Sequence, residues 1–537
     1  MFDRSGALQR LRHDDFDLLV VGGGITGAGV ALDATSRGLR TALVERDDFA
    51  SGTSSRSSKL VHGGLRYLDQ REFRLVYEAL AERQRLIENA PHLVSIIPFL
   101  VPVLTSGGRI DRRLAPVLGG ALWMYDLTGG LRIGRRHQKV TADEALTHFP
   151  TLDRDQVARG YVYFDAQADD ARLTLAIART AAAHGAAVAN HTALVAFEKG
   201  GGRVVGARVQ ADGDQFPVRA RVVVNATGVW ADDVRALDEG THPASMQPAK
   251  GVHVTLPWSR VRNDLAAIVP APDGERMVFV IPWGAHTYVG TTDTSYDGPL
   301  DDPACTPADV EYLLAALNGV TRVAATPDDV VGAWAGLRPL LRSSRRARTA
   351  DLSRRHAVRI ADSGTVTVTG GKLTTYRRMA ADAVDAAERM LPGRRSHSRT
   401  RRLQLVGADG IAPPRAVVPS PGAVPTDDGP ERLTRRYGSE AAAVDALARS
   451  QPEWAQPLVP GLAYLKAEAV FAVREEMART LDDVLSRRTR ARILDRDATV
   501  AAAPAVASLL APELGWSAAD AEAEVRRFRA QAGADCP

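Results

Sequence analysis

Asp17-Leu18-Leu19-Val20-Val21-Gly22-Gly23-Gly24-Ile25-Thr26-Gly27 is the stretch on which the fold turns. A short apolar run enters a Gly-x-Gly-x-x-Gly spacing, and an Ala-rich stretch of helical character, 30–37, follows. Residues 41–45 (TALVE) read as a second buried strand. Strand, glycine turn, helix and strand within about 30 residues predict a βαβ unit. Gly22 permits the tight turn, Gly24 lets backbone approach a pyrophosphate, and Gly27 lets helix and strand pack closely. The free N–H groups where the helix opens, at Ile25 and Thr26, favour an anion. Glu45 ends the second strand, 18 residues past Gly27. Its carboxylate suits ribose hydroxyls and repels a 2′-phosphate, which disfavours NADP. Only one such fingerprint is present, so one dinucleotide is expected; the spacing does not choose between FAD and NAD.

Working outward, β character recurs over 186–228, ending in Val224-Asn225-Ala226-Thr227-Gly228, and again over 365–369. The latter runs into Gly370-Gly371-Lys372 and a helix over 374–390. One sheet is therefore assembled from separated pieces. The expected class is α/β. A Rossmann-like dinucleotide domain is built from 14–80, 165–250 and 330–400. A substrate or cap domain with an antiparallel sheet comes from 81–164 and 251–329. Residues 409–430 are proline-rich and read as a linker. Residues 431–537 read as a helical domain; Leu481, Val484, Leu485 and Arg488 show the i, i+3, i+4 spacing.

The 537 residues hold 45% hydrophobic and 25% charged residues, which excludes wholesale disorder. A net charge of +4 is too balanced for a dedicated nucleic-acid binder, so no nucleic-acid partner is expected. Two cysteines, Cys305 and Cys536, make neither a disulfide framework nor a thiolate metal cluster, and no metal is expected. A reducing, cytoplasmic compartment follows. No secretory signal is read at the N-terminus. The longest apolar stretch, 93–104, is broken by Ser95, Pro98 and Pro102 and is too short for a spanning helix.

The cofactor is decided by the run from Ser51 to Leu68, SGTSSRSSKLVHGGLRYL. It packs hydroxyls (Thr53, Ser54, Ser58), paired glycines (Gly63, Gly64), cations (Lys59, Arg66), His62, Leu65 and Tyr67 close behind a dinucleotide site. Here the chain closely resembles the FAD-dependent glycerol-3-phosphate dehydrogenases, of the glycine-oxidase/D-amino-acid-oxidase superfamily. The resemblance continues through Asp169-Asp-Ala-Arg-Leu173, Val224–Gly228 with Trp230, Lys250-Gly-Val-His253, Ile281-Pro-Trp283, Gly290-Thr-Thr-Asp293, Gly336-Leu-Arg338-Pro-Leu340 and Gly370-Gly-Lys-Leu-Thr-Thr-Tyr-Arg377. It covers roughly 14–390, with weaker motifs in the helical tail. The chain holds 62 Arg and six Lys, and Lys59, Lys250 and Lys372 all fall within these motifs. Such a retained Lys suits a place needing a compact ammonium rather than a fork.

The resemblance implies non-covalent FAD and oxidation of sn-glycerol 3-phosphate to dihydroxyacetone phosphate. Hydride leaves C2 and a base takes the hydroxyl proton. The implied cofactor contacts are Gly22, Gly24, Ile25, Thr26, Gly27, Glu45, Thr53, Ser54, Ser58, Lys59, His62, Gly63, Gly64, Leu65, Thr227, Gly228, Trp230, Gly371, Lys372, Leu373 and Thr374. A phosphate needs cations; Arg66, Arg338 and Arg354 are the candidates, with Tyr67 donating its hydroxyl. His253 is the candidate base. Lys372, at a predicted helix start, would stabilise negative charge on the reduced ring or reach substrate. Trp283 and Tyr288 read as core or cleft wall.

The family passes electrons to quinone or to oxygen. Oxidases of this kind tend to carry an insertion that this sequence does not show, so a membrane quinone is expected. Residues 108–137 carry six Arg and two Asp around an apolar centre with Trp123, Met124 and Tyr125. That pattern suits peripheral attachment to the inner face of the cell membrane. A homodimer is plausible by resemblance. The rivals are an oxygen-using glycerol-3-phosphate oxidase, another amine or hydroxy-acid oxidase of the superfamily, and a flavin-binding protein without chemistry.

Overall fold

The structure, a computed structural model, describes residues 2–64, 73–105, 115–274, 276–342, 356–393, 395–423 and 430–533. Leu65, Arg66, Tyr67 and Arg354 lie outside them.

Among the described residues, two sheets organise the chain. The first has eight described strands. Asp15–Val21 lies at its centre, parallel to Thr41–Val44 on one side and to Asp214–Asn225 on the other. Ala187–Ala189 extends the first side, and Val366–Gly370 and His356–Ile360 the second. The register Leu18↔Val222 and Val21↔Asn225 places every central strand end beside its neighbour's. Leu18, Leu19 and Val20 are wholly buried. Near-continuous apolar runs are what a parallel sheet covered on both faces requires. The helix Ile25–Ser36 packs against both Asp170–Ala183 and Tyr376–Glu388. The order of strands reverses at Asp15–Val21, which opens a crevice at the carboxyl ends.

The second sheet has ten strands among the described residues. Its longest ladder joins Val94–Leu104 to Val157–Ala168, antiparallel from Val94↔Ala168 onward. The apolar stretch too short for a membrane is thus a sheet strand. Ala249–Pro257 pairs with His286–Gly290 on one side and Gly332–Arg338 on the other. Pairing in this sheet is antiparallel except between Ala266–Pro270 and Val94–Leu104.

Sheet membership does not follow chain segments one for one. Gly332–Arg338 and Leu60–Val61 belong to the second sheet, not the first. Both are short apolar runs, and only their long-range partners determine which sheet takes them. A helix at Arg4–His13, capped by Asp3, precedes the first strand and was not read from the sequence.

Residues 409–423 run without helix or strand. Beyond them lie the helices Pro430–Tyr437, Ala441–Ser450, Lys466–Glu476, Arg496–Leu514 and Ala518–Gly533. Leu481, Val484, Leu485 and Arg488 are buried as the spacing requires. The turn Asp483–Arg488 is a π-helix rather than an α-helix. In it the neighbours Arg487 and Arg488 both reach Asp48 Oδ2, at 2.7 and 2.6 Å. This tail docks on the rest of the chain through buried ion pairs. Arg172 donates to Glu476, and Arg490 to Asp170. Removing one partner of such a pair leaves an uncompensated buried charge. Among the described residues no helix is long and apolar enough to cross a membrane.

A candidate cofactor and substrate cavity between the sheets

A cavity of about 510 Å³ opens at the carboxyl ends of the central parallel strands and runs to the second sheet. Its first wall is largely backbone. Gly22 leaves the strand with φ +105°, and a Cβ there would stand 2.7 Å from Ala226 O. A Cβ on Gly27 would come within 1.8 Å of Gly22 O, so Gly27 brings helix to strand and does not itself line the cavity. Gly24 caps the helix Ile25–Ser36. Ser54 Oγ accepts the Ile25 N–H at 2.9 Å, which fixes the 53–55 turn against the fingerprint. Glu45 Oε2 accepts the Gly23 N–H at 2.5 Å and Oε1 the Asp47 N–H at 2.9 Å. Burial raises its pKa, and these backbone donors oppose the rise. Thr227, Gly228 and Trp230 close the same wall, with the Arg46 guanidinium 4.6 Å from the Trp230 ring.

The second wall is built from side chains. His253 and Gly251 alternate on one strand, Arg338 and Gly336 on its neighbour, and all four line the cavity. His253 is 2% exposed. Its Nε2 is hydrogen-bonded to Ser58 Oγ at 2.8 Å, and its ring stacks on Trp334 at 4.7 Å, 6° from parallel. A Cβ on Gly290 would meet His253 Cδ2 at 2.1 Å, so that glycine makes room for the imidazole. Burial, then the Lys59 and Arg338 charges, hold the His253 pKa well below that of a free histidine. It is therefore a neutral imidazole at pH 7. Arg338 donates from Nη1 to Asp293 Oδ1 at 3.0 Å and from Nη2 to Thr291 Oγ1 at 3.2 Å. Its guanidinium is aimed before any ligand arrives, and its side chain keeps 20% exposure. Gly371, φ +83°, and Lys372 precede the turn Leu373–Thr375, which leads into the helix Tyr376–Glu388.

The cavity thus brings together Gly22, Gly24, Ile25, Thr26, Glu45, Thr53, Ser54, Ser58, His62, Thr227, Gly228, Trp230, His253, Arg338, Gly371, Lys372, Leu373 and Thr374. Lys59 is not among them, contrary to expectation. Its φ of +56° turns the side chain inward, where Nζ lies 3.4 Å from Asp170 Oδ1 and 4.4 Å from the Trp334 ring. Burial, chiefly, lowers its pKa to about 8. Lys250 likewise pairs with Asp309, at 2.6 Å, so of the three motif lysines only Lys372 reaches the cavity. Gly63 and Gly64 also stand off it. The Gly63 N–H donates to Tyr125 Oη at 3.0 Å, and a Cβ there would strike Leu80.

The sequence reading missed Arg46, Arg56, Ser57, Gly251, Thr291 and Gly336 as lining residues. For Gly251 and Gly336 a signal existed. Each stands two residues before a predicted site residue, hence on the same face of its strand.

A fingerprint turn with no room for side chains, a buried carboxylate at the second strand's end and an elongated cavity between them fit a dinucleotide. The chain matches the family model of FAD-dependent oxidoreductases over residues 17–377, and over 398–521 the C-terminal domain of alpha-glycerophosphate oxidase. It is 43% identical to a Mycobacterium tuberculosis protein named glycerol-3-phosphate dehydrogenase 2, over 99% of this chain and 90% of that one. Mouse mitochondrial glycerol-3-phosphate dehydrogenase is 39% identical, over 96% of this chain and 73% of its own length. A solved glycerol-3-phosphate dehydrogenase from Bacillus halodurans, complexed with FAD, superposes with a TM-score of 0.78 at 30% identity, covering 99% of this chain and 98% of that one. The chain belongs to the FAD-dependent oxidoreductases, in their glycerol-3-phosphate dehydrogenase branch.

Proposed function

We propose that the protein oxidises sn-glycerol 3-phosphate to dihydroxyacetone phosphate and delivers the electrons to a membrane quinone. The observation that carries this reading is one cavity lined at once by the fingerprint turn, His253, Arg338 and Lys372. FAD, when bound, supplies the acceptor for the hydride from C2. His253, kept neutral by its surroundings, takes the C2 hydroxyl proton. Arg338, held by Asp293 and Thr291, presents its guanidinium to the phosphate. Arg66, Tyr67 and Arg354 complete the anion site in this reading. Lys372, where the chain turns into a helix, balances negative charge at the junction of cofactor and substrate. The names of the relatives support the substrate.

A surface on the helix Ala115–Thr128 supports peripheral membrane attachment. Trp123, Met124 and Leu127 are 48%, 39% and 71% exposed. Arg132 and Arg136 lie 5.3 Å from the Tyr77 ring and 5.7 Å from the Trp123 ring. Apolar side chains rimmed by cations suit a lipid interface with anionic headgroups.

The test is anaerobic. Bleaching of the flavin absorbance by sn-glycerol 3-phosphate, but not by glycerol or D-amino acids, is the expected result. A yellow protein that does not bleach would overturn the substrate. Reoxidation of the reduced protein by a soluble quinone faster than by air would support the acceptor; the reverse order would make the protein an oxidase.

A further inference from the structure

We propose that Arg490, in the helical C-terminal domain, is a positioning residue for the cofactor cradle and for the Ser58–His253 pair. The inference rests on the role given to His253 above. Arg490 is 1% exposed and held in a left-handed conformation, φ +69°, where the chain enters the short helix Ala491–Leu494. From there its Nη2 donates to Ser55 O at 2.6 Å and to Asp170 Oδ1 at 2.9 Å. Ser55 closes the turn Thr53–Ser55, whose Ser54 Oγ accepts from the fingerprint helix at Ile25. The other Asp170 oxygen, Oδ2, accepts from Ser57 N at 3.0 Å and from Ser57 Oγ at 2.7 Å. The next residue is Ser58, which holds His253.

One guanidinium therefore holds the six-residue loop 53 to 58, at Ser55 directly and at Ser57 through Asp170, and that loop touches the fingerprint on one side and the histidine on the other. Lys59 joins the same knot through Ser55 O and Asp170 Oδ1, at 3.3 and 3.4 Å. This accounts for a motif lysine that does not reach the cavity. The segment after Arg490 braces the opposite wall. Ile493 O accepts from Thr255 Oγ1 at 2.7 Å, two residues along the strand from His253. A Cβ on Gly332 would come 2.3 Å from that same carbonyl oxygen, so the tail sits directly against the second sheet. Both walls of the cavity are thus referenced to residues 490–493. The tail, whose part in the enzyme the cavity lining alone does not explain, sets the spacing between the cofactor turn and the proton acceptor.

The experiment uses the full chain with Arg490→Gln, and Arg432→Gln as the comparison. Arg432 is equally buried and donates to Glu468 at 2.6 Å wholly within the tail, away from the cavity. Two quantities are read besides thermal stability. One is the FAD dissociation constant of the apoprotein, by flavin fluorescence. The other is the limiting rate of anaerobic flavin reduction, separated from the half-saturating substrate concentration. Both variants lose stability. Only Arg490→Gln is expected to weaken FAD binding and lower the limiting rate, each by about tenfold or more, the loss of a charge-assisted hydrogen bond. Half-saturation should move little, because Arg338 and its partners are untouched. A folded Arg490→Gln with wild-type FAD affinity and limiting rate overturns the proposal. If Arg490→Gln does not fold, Arg490→Lys decides. Its ammonium lacks the second nitrogen, Nη1, which ties Arg490 to Ser486 O at 3.0 Å while Nη2 reaches Ser55 O and Asp170, so intermediate losses in both quantities are expected, and wild-type values overturn it. If the wild type is not reduced by sn-glycerol 3-phosphate, the substrate reading fails, while the FAD titration still tests Arg490.

Discussion

The two walls of the cavity are made by different means. The first is backbone: Gly22 carries no side chain where one would collide, Gly27 behind it lets the helix close on the strand, and the helix Ile25–Ser36 presents its N-terminus. The second is side chain held by side chain: His253 on Ser58 and Trp334, Arg338 on Asp293 and Thr291. The first wall fixes where a cofactor lies. On the function proposed above, the second determines what chemistry happens beside it. A defect in the first should remove the cofactor, and a defect in the second should leave a coloured, inactive protein.

The most damaging change lies just behind the first wall, where helix meets strand. Gly27→Val places carbon inside the Gly22 carbonyl contact. Overpacking against backbone is expected to cost more than about 3 kcal/mol. The variant should purify colourless or not fold, checked by absorbance and circular dichroism. Next come the second-wall variants. His253→Asn should lower the limiting rate of flavin reduction about 10²- to 10⁴-fold, the range of general-base catalysis. Arg338→Ala should lower kcat/KM about 10²- to 10³-fold through substrate binding. Both should keep the flavin spectrum. A colourless His253→Asn would erase the distinction between the walls.

A smaller effect separates chemistry from stability by pH. The His253 pKa lies well below the free value, so the low-pH limb of the reduction rate should fall below about 6.5, the value of a free imidazole. His92 behaves similarly outside the cavity, with burial and then Arg172 lowering its pKa to about 4. The unfolded chain binds a proton that folded His92 refuses. Its contribution is therefore complete above pH 6.5 and declines as pH falls towards 4. Melting temperature should drop over that window, and His92→Gln should flatten the drop without moving the limb of the rate. The smallest effect is at the surface. Trp123→Ser with Leu127→Ser should weaken co-sedimentation with anionic vesicles several-fold and leave reduction by substrate unchanged.

The same contrast explains what the sequence made legible. Gly22 to Gly27 and Glu45 declare themselves because the turn, the helix start and the strand end are local and their spacing is set by backbone geometry. The hallmark run after Ser51 named the family. Lys59 shows the limit. Its motif is right and its direction wrong, because a positive φ at one residue and a carboxylate 111 positions away turn the ammonium inward. Gly332–Arg338 pairs with Ala249–Pro257 in the second sheet, a partner that a short apolar strand does not encode. Arg46 and Arg56 line the cavity through loop geometry that no periodicity predicts. The tail's helical character was legible from Leu481, Val484 and Leu485. That Arg490 reaches Ser55 was not, since the two are 435 positions apart.

The central sheet has a consequence for biosynthesis. Asp15–Val21 pairs early with Thr41–Val44 but finds its second neighbour only when Asp214–Asn225 has been made, and that strand in turn waits for Val366–Gly370. Between the first strand and the last lie roughly 350 residues, so a ribosome adding about 5–20 residues per second leaves Leu18, Leu19 and Val20 without their final sheet for roughly 20 to 70 s. During that interval the nascent chain offers bare strand edges to its neighbours on the polysome. Yield of this protein should therefore respond to translation rate and to chaperone supply more strongly than its native packing alone would indicate.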